Sequence, residues 1–281
     1  MKIFEKKADL TSFLSAIKRD NKSIGLVPTM GALHQGHLSL VKKAKKKNNI
    51  CVVSIFVNPT QFDNPEDLVK YPKTIENDIR LLETVNCDVV FIPSVEEIYA
   101  QNVNSEKFEF DGLENQMEGK FRDGHFDGVG TIVKTLFEIV TPDKAYFGKK
   151  DFQQLQIIKK MVEKHQLPVK VKGCETYREE DGLAMSSRNT RLTKEHRDAA
   201  PFIYKTLKKA KKKFRKKDPI QVIKWVENQF KKHALLELEY FTIADEATLQ
   251  TIKEKEKNEK YRAFIAVFAG EIRLIDNLEL K

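Results

Sequence analysis

The chain reads as an α/β protein: a Rossmann-like, doubly wound parallel sheet followed by a smaller C-terminal α+β domain. Three observations predict this. Between Ile24 and Val171, short apolar runs alternate with stretches of helical period. Polar residues that ordinary turns do not require fall just after several of those runs, at the strand ends where open α/β sheets bind ligands. After about Tyr177 the pattern changes to a Lys-rich helical stretch followed by alternating segments, which places a boundary between residues 1–176 and 177–281.

The first apolar run, residues 24–27, is short and continuous, as a strand covered on both faces must be. Residues 50–57, 88–93, 145–148 and 169–171 read the same way, and residues 74–85, 129–140 and 152–165 carry the helical period between them. In the second part a Lys-rich helical stretch is followed by a second helix around residues 220–233. Alternation over 236–243 and 262–275 predicts strands, the latter a hairpin turning at Gly270-Glu271. No internal repeat interrupts this order.

At 281 residues and 41% hydrophobic content the chain can bury a sizeable core. Charges at Lys2, Glu5, Lys6, Lys7 and Asp9 leave no apolar leader, and no run approaches membrane-spanning length, so a cytoplasmic protein is expected. Cys51, Cys87 and Cys174 are far apart and form no metal-ligand spacing, which predicts buried, reduced thiols. The net charge of +9 is concentrated in residues 42–47 and 205–217. Aromatic residues are not interleaved with those lysines as a nucleic-acid stacking platform requires, and a solvated helix face accounts for them.

The sharpest signal is His34-Gln35-Gly36-His37 after the first strand. A strand opening through a glycine turn into a helix aims N–H groups and a positive dipole end at an anion, and two imidazoles three residues apart share one face of the first turn. Helix capping and packing are the alternative use of the pair. Asn58 and Gln61 follow the second strand, amides suited to reading hydroxyl and carboxylate groups, although a plain turn uses the same residues. At Gly148-Lys149-Lys150-Asp151, Asp151 suits a helix N-cap and Lys150 can balance polyphosphate charge, with Gln154 one turn on. Finally, residues 181–189 gather Ser186, Ser187 and Arg188 beside Leu183 and Met185 at the domain boundary, a phosphate-gripping set on a loop able to close.

Residues 28–38, 56–62, 147–151 and 181–189, in that order and spacing, resemble the motifs of the pantoate–β-alanine ligases (pantothenate synthetases), and the likeness continues to residues 273–277. That family belongs to the HIGH-motif nucleotidyltransferases, with the Met-Ser-Ser-Arg loop standing where related class I aminoacyl-tRNA synthetases carry KMSKS. The resemblance implies an AMP-forming carbon–nitrogen ligase that joins (R)-pantoate to β-alanine through a pantoyl adenylate, releasing AMP and pyrophosphate. It implies ATP binding by Met30, Gly31, Ala32, Leu33, His34, Gln35, Gly36 and His37, by Gly148, Lys149, Lys150 and Asp151, and by Tyr177, Met185, Ser186, Ser187 and Arg188. It further implies pantoate binding by Asn58, Gln61 and Gln154, β-alanine near Gln61, Mg²⁺ carried with the nucleotide, and a homodimer. His34, His37, Lys150, Ser186, Ser187 and Arg188 are the expected catalytic donors, His37 acting as proton or hydrogen-bond donor on the phosphate side. Lys149 and Tyr177 depart from the family pattern, Lys149 by adding positive charge near the phosphates. A related adenylyltransferase of cofactor biosynthesis would keep the histidines but has no use for the three amides. An RNA-binding module would rest on the lysines alone.

Overall fold

The computed structural model describes residues 1–63 and 65–280. The first part runs β1 (Lys2–Phe4), α1 (Lys7–Arg19), β2 (Ile24–Thr29), α2 (Gln35–Lys47), β3 (Ile50–Ile55), α3 (Pro65–Val69), α4 (Ile75–Thr84) and β4 (Val89–Phe91). It continues through α5 (Val95–Tyr99), α6 (Met117–Phe121), α7 (His125–Val140), β5 (Lys144–Gly148), α8 (Phe152–Lys164) and β6 (Lys170–Cys174). The later part holds α9 (Lys194–Ala199), α10 (Phe202–Phe214), α11 (Pro219–Phe230), β7 (Glu237–Asp245), β8 (Tyr261–Ala269) and β9 (Ile272–Glu279). The chain divides into two units, Met1–Lys149 with Gln153–Glu175, and Lys150–Phe152 with Thr176–Lys281.

The first unit is a parallel sheet of order β1-β4-β3-β2-β5-β6. The chain winds outward from β2 through β3 to β4, then returns to the other side of β2 as β5 and β6, so the topological switch lies between β2 and β5. β2 pairs with β3 along all six of its residues, but with β5 only at Gly25 and Leu26. The ladder between β2 and β5 thus stops short of both carboxyl ends, which leaves room there and tolerates Pro28, whose missing N–H no neighbour on that side requires. Ile24, Leu26, Val27, Val52, Val53, Ala145 and Tyr146 are buried, which explains the continuous apolar runs. A strand and a helix precede the first predicted strand. α1 buries Leu10 and Leu14, and β1 is an edge strand of three residues, too short to give a pattern.

In the second unit α10 and α11 cover the antiparallel sheet β7-β8-β9, with Leu207, Val222, Ile243, Ile265 and Val267 in one cluster. The predicted hairpin turns at Gly270-Glu271 between β8 and β9. α10 buries Ile203, Leu207, Ala210 and Phe214 and leaves Lys205, Lys208, Lys209 and Lys212 exposed, so the Lys-rich stretch is the solvated face of an amphipathic helix. All three cysteines are buried free thiols. Among the described residues no helix is long and apolar enough to cross a membrane.

Candidate active site

At the carboxyl end of β2 the chain enters α2 through Met30-Gly31-Ala32-Leu33. Gly31 takes φ +80°, in the left-handed region that favours glycine, and a buried carboxylate holds the turn. Asp78 of α4, with no exposed surface, accepts from the Ala32 N–H at 3.0 Å, the Leu33 N–H at 2.8 Å and the Thr74 hydroxyl at 3.1 Å. Thr29 adds a stitch, donating to the Ser54 carbonyl and accepting from the Gly31 N–H.

His34 is the N-cap of α2, and both rings take part in the cap. Its Nδ1 accepts from the Gly36 N–H at 3.1 Å, while Nδ1 of His37 accepts from the His34 N–H at 3.3 Å. The rings lie 4.0 Å apart at 30°. Capping and ligand binding, alternatives in the sequence, are therefore compatible here. Accepting at Nδ1 fixes the neutral tautomer of each ring, with its proton on Nε2. It also means that the N–H groups of His34 and Gly36 serve the rings, and the expected backbone cradle at this helix mouth is partly replaced by imidazole.

Beyond β3, Asn58 and Gln61 flank a single helical turn, Pro59–Gln61. Asn58 is buried, and its amide is fully engaged: Nδ2 donates to the Gly128 carbonyl at 3.0 Å and to Gln61 Oε1 at 3.3 Å, while Oδ1 accepts from Tyr99 at 2.5 Å and from Thr60. One of these bonds ties Asn58 to the Gln61 amide. Nε2 of Gln61 rests on the Met30 sulfur at 2.8 Å, a weak acceptor. Burial pushes the Tyr99 hydroxyl pKa up, against its hydrogen bonds to Thr60 and Asn58.

α7 packs on this turn through Gly128, where a Cβ would lie 2.4 Å from the Thr60 carbonyl oxygen. His125, on the same helix, donates from Nδ1 to the Gln61 carbonyl at 2.8 Å, and Arg122 contacts its Nε2 at 3.2 Å. Burial, reinforced by the Arg122 charge, lowers the His125 pKa to about 4, so the ring is neutral at pH 7.

Gly148 closes β5, and Lys149–Asp151 form a tight turn into α8. The Lys149 ammonium reaches Glu175 at 2.5 Å, which offsets the extra positive charge the sequence suggested for the phosphates. Gln154 is half-buried on the first turn of α8.

In the second unit, the Lys150 ammonium lies 3.5 Å from Asp151. Residues 177–185 form a narrow hairpin closed by Met185 N–H to Tyr177 carbonyl and Glu179 N–H to Leu183 carbonyl. Tyr177 is 42% exposed, its carbonyl engaged in that hairpin. Arg197 clamps Glu179 and Asp181, both at 2.6 Å, and Asn189 bonds Glu179 and the Ala184 carbonyl. Ser186 caps the turn Ser187–Arg191 by accepting from the Arg188 N–H, which leaves its hydroxyl proton to donate. Loop Met185-Ser186-Ser187-Arg188 therefore stands on a braced stalk.

The sequence reading missed Asp78, Tyr99, Gly128, His125 and Arg197. Each acts through partners far along the chain, and the one local cue was Thr74 spaced four residues before Asp78, which the helical pattern absorbed as polar surface.

Residues 2–279 match the family described as Pantoate-beta-alanine ligase. The chain is 57% identical to a pantothenate synthetase of Flavobacterium psychrophilum, over the full length of both, and 47% identical to that of Bacteroides fragilis over 99% of the relative. The fold superposes with TM-score 0.92 on a pantothenate synthetase from Thermus thermophilus, at 38% identity, with 100% of this chain and 99% of that one covered. A Francisella tularensis pantoate-beta-alanine ligase described as complexed with beta-gamma ATP and beta-alanine gives 0.84 at 36% identity, covering 99% of this chain and 97% of that one.

Proposed function

The chain belongs to the pantoate-beta-alanine ligase family and catalyses the ATP-dependent ligation of pantoate to β-alanine, and we propose that it does so through a pantoyl adenylate. In the first step a carboxylate oxygen of (R)-pantoate bonds to the α-phosphorus of ATP as the bridge to the β-phosphate breaks, and pyrophosphate leaves. In the second the β-alanine amine bonds to the acyl carbon, AMP leaves with the oxygen, and the amine gives up a proton. Negative charge moves between phosphate oxygens in the first step, so preorganised donors matter more than a strong base.

The observation that carries this reading is the His34–His37 pair at the mouth of α2, its rings 4.0 Å apart and both accepting at Nδ1, so that the proton of each ring is on Nε2. Lys150, Ser186, Ser187 and Arg188 supply the remaining donors, and the segments 30–37, 148–151 and 185–188 with Tyr177 bind ATP. Gln61, oriented by Asn58, and Gln154 bind pantoate, and β-alanine enters beside Gln61. Among the described residues no group of three or more His, Cys, Asp or Glu side chains can hold a metal, so Mg²⁺ fits best as an ion carried on the triphosphate, where it would neutralise phosphate charge. Buried free thiols suit a reducing cytoplasm, and the family resemblance supports a homodimer, which light scattering in solution checks.

Pantoate labelled with ¹⁸O in its carboxylate tests the route. One labelled oxygen should appear in AMP, whereas label in pyrophosphate or orthophosphate would overturn the adenylate.

A further inference from the structure

We propose that Asn277 is a positioning residue for the adenylation step: it holds the Lys150 backbone, and hence the Lys150 ammonium, through an amide whose orientation Arg262 sets. The inference rests on the assignment of Lys150 to the phosphates of ATP.

Asn277 is buried in β9, and its Nδ2 donates to the Lys150 carbonyl at 2.7 Å, across 127 residues of sequence. Its Oδ1 accepts from the Arg262 guanidinium at 2.7 Å. The amide cannot be turned over, since the reverse orientation would set NH₂ against guanidinium and oxygen against a carbonyl. Arg262 is held in turn by Glu246 at 2.8 Å and lies 4.0 Å over the Phe152 ring, which also packs on Phe264. The three residues Lys150–Phe152 are therefore gripped at both ends, by a hydrogen bond to the first and a stacked guanidinium on the last. A backbone this fixed sets the point from which the Lys150 side chain extends.

The preceding residue serves the other phosphate-binding segment. Asp276, also buried, takes the Arg178 guanidinium in a fork at 2.6 and 2.9 Å, and Arg178 bonds the Gly182 carbonyl at 3.2 Å while lying 3.7 Å over Tyr204. Gly182 belongs to the hairpin from which residues 185–188 emerge. Successive strand side chains point to opposite faces, so two adjacent residues of β9 reach two segments that both contribute donors.

Asn277→Asp isolates the contact. It keeps an acceptor for Arg262 but presents a carboxylate oxygen to the Lys150 carbonyl instead of an N–H. Pantoate-dependent exchange of pyrophosphate into ATP should fall by about ten- to a hundredfold, the scale of a displaced catalytic group, with KM for ATP raised and KM for pantoate within about twofold. Arg262→Lys, which loosens the amide without removing it, should show the same bias at smaller amplitude and decides the matter if the first variant fails to fold. Unchanged exchange and ATP KM in the folded variants, or equal losses for both substrates, would overturn the proposal. Lys150→Ala is measured beside them: if it leaves ATP handling intact, the assignment of Lys150 has failed, whereas a strong effect there with none at Asn277 refutes the positioning role alone.

Discussion

Each imidazole at the mouth of α2 has two ends, Nδ1 accepting from the backbone and Nε2 carrying the ring proton that the proposed reaction uses. Replacing either ring therefore has two consequences of different size. His37→Ala and His34→Ala should each slow adenylate formation by about 10²–10³, the cost of one preorganised donor at developing charge, while lost capping destabilises the fold by only about 1 kcal/mol. Single-turnover rates with urea melts separate the two, and near-normal adenylation in a destabilised His37→Ala would reduce the pair to a cap. Gln61 tests the acid side. Because its amide gives up only a thioether contact to meet substrate, Gln61→Ala should weaken pantoate binding by about 1–3 kcal/mol and leave ATP binding near normal, with Lys150→Ala showing the opposite bias in calorimetric titrations.

At the scale of elements, α4 and α7 are clamps for the two loops that carry these residues. Asp78 joins α4 to the turn before α2, and its removal takes the acceptor from the buried Leu33 N–H, a loss of about 1–3 kcal/mol, and from the part-buried Ala32 N–H and the Thr74 hydroxyl. Asp78→Ala should thus lower unfolding free energy by about 3 kcal/mol or more and impair ATP use with it, whereas a surface-like effect below about 0.5 kcal/mol would refute the clamp. α7 brings a titratable group against the Pro59–Gln61 turn in His125. Its folded pKa, about 4, lies below the ordinary 6.5, so the neutral ring favours the folded state fully above pH 6.5 and that contribution disappears as pH falls toward 4. The loss amounts to about 3 kcal/mol. Urea melts at pH 7 and 4.5 should show a smaller drop for His125→Gln than for the parent chain, and equal drops would mean that the imidazole is not buried neutral.

For the whole molecule, what was legible in the sequence was whatever is local. Continuous apolar runs marked the buried strands, the Gly270-Glu271 hairpin marked itself by alternation, and the histidine pair and Gln61 stood out because their motifs are contiguous. What escaped depends on distance: Asp78 meets Leu33 across 45 residues, Arg178 meets Asp276 across 98, and Asn58 spans 70 to the Gly128 carbonyl. Such residues read as polar surface or as plain turn until the fold brings their partners, and the internal bonds of Asn58 were invisible for the same reason. β1 escaped for another reason, being three residues long. The central claim concerns the order of bond changes, activation of pantoate before β-alanine is needed. Labelled pyrophosphate incubated with the protein, ATP and pantoate alone should enter ATP at a rate comparable to turnover; exchange that strictly requires β-alanine would contradict the account.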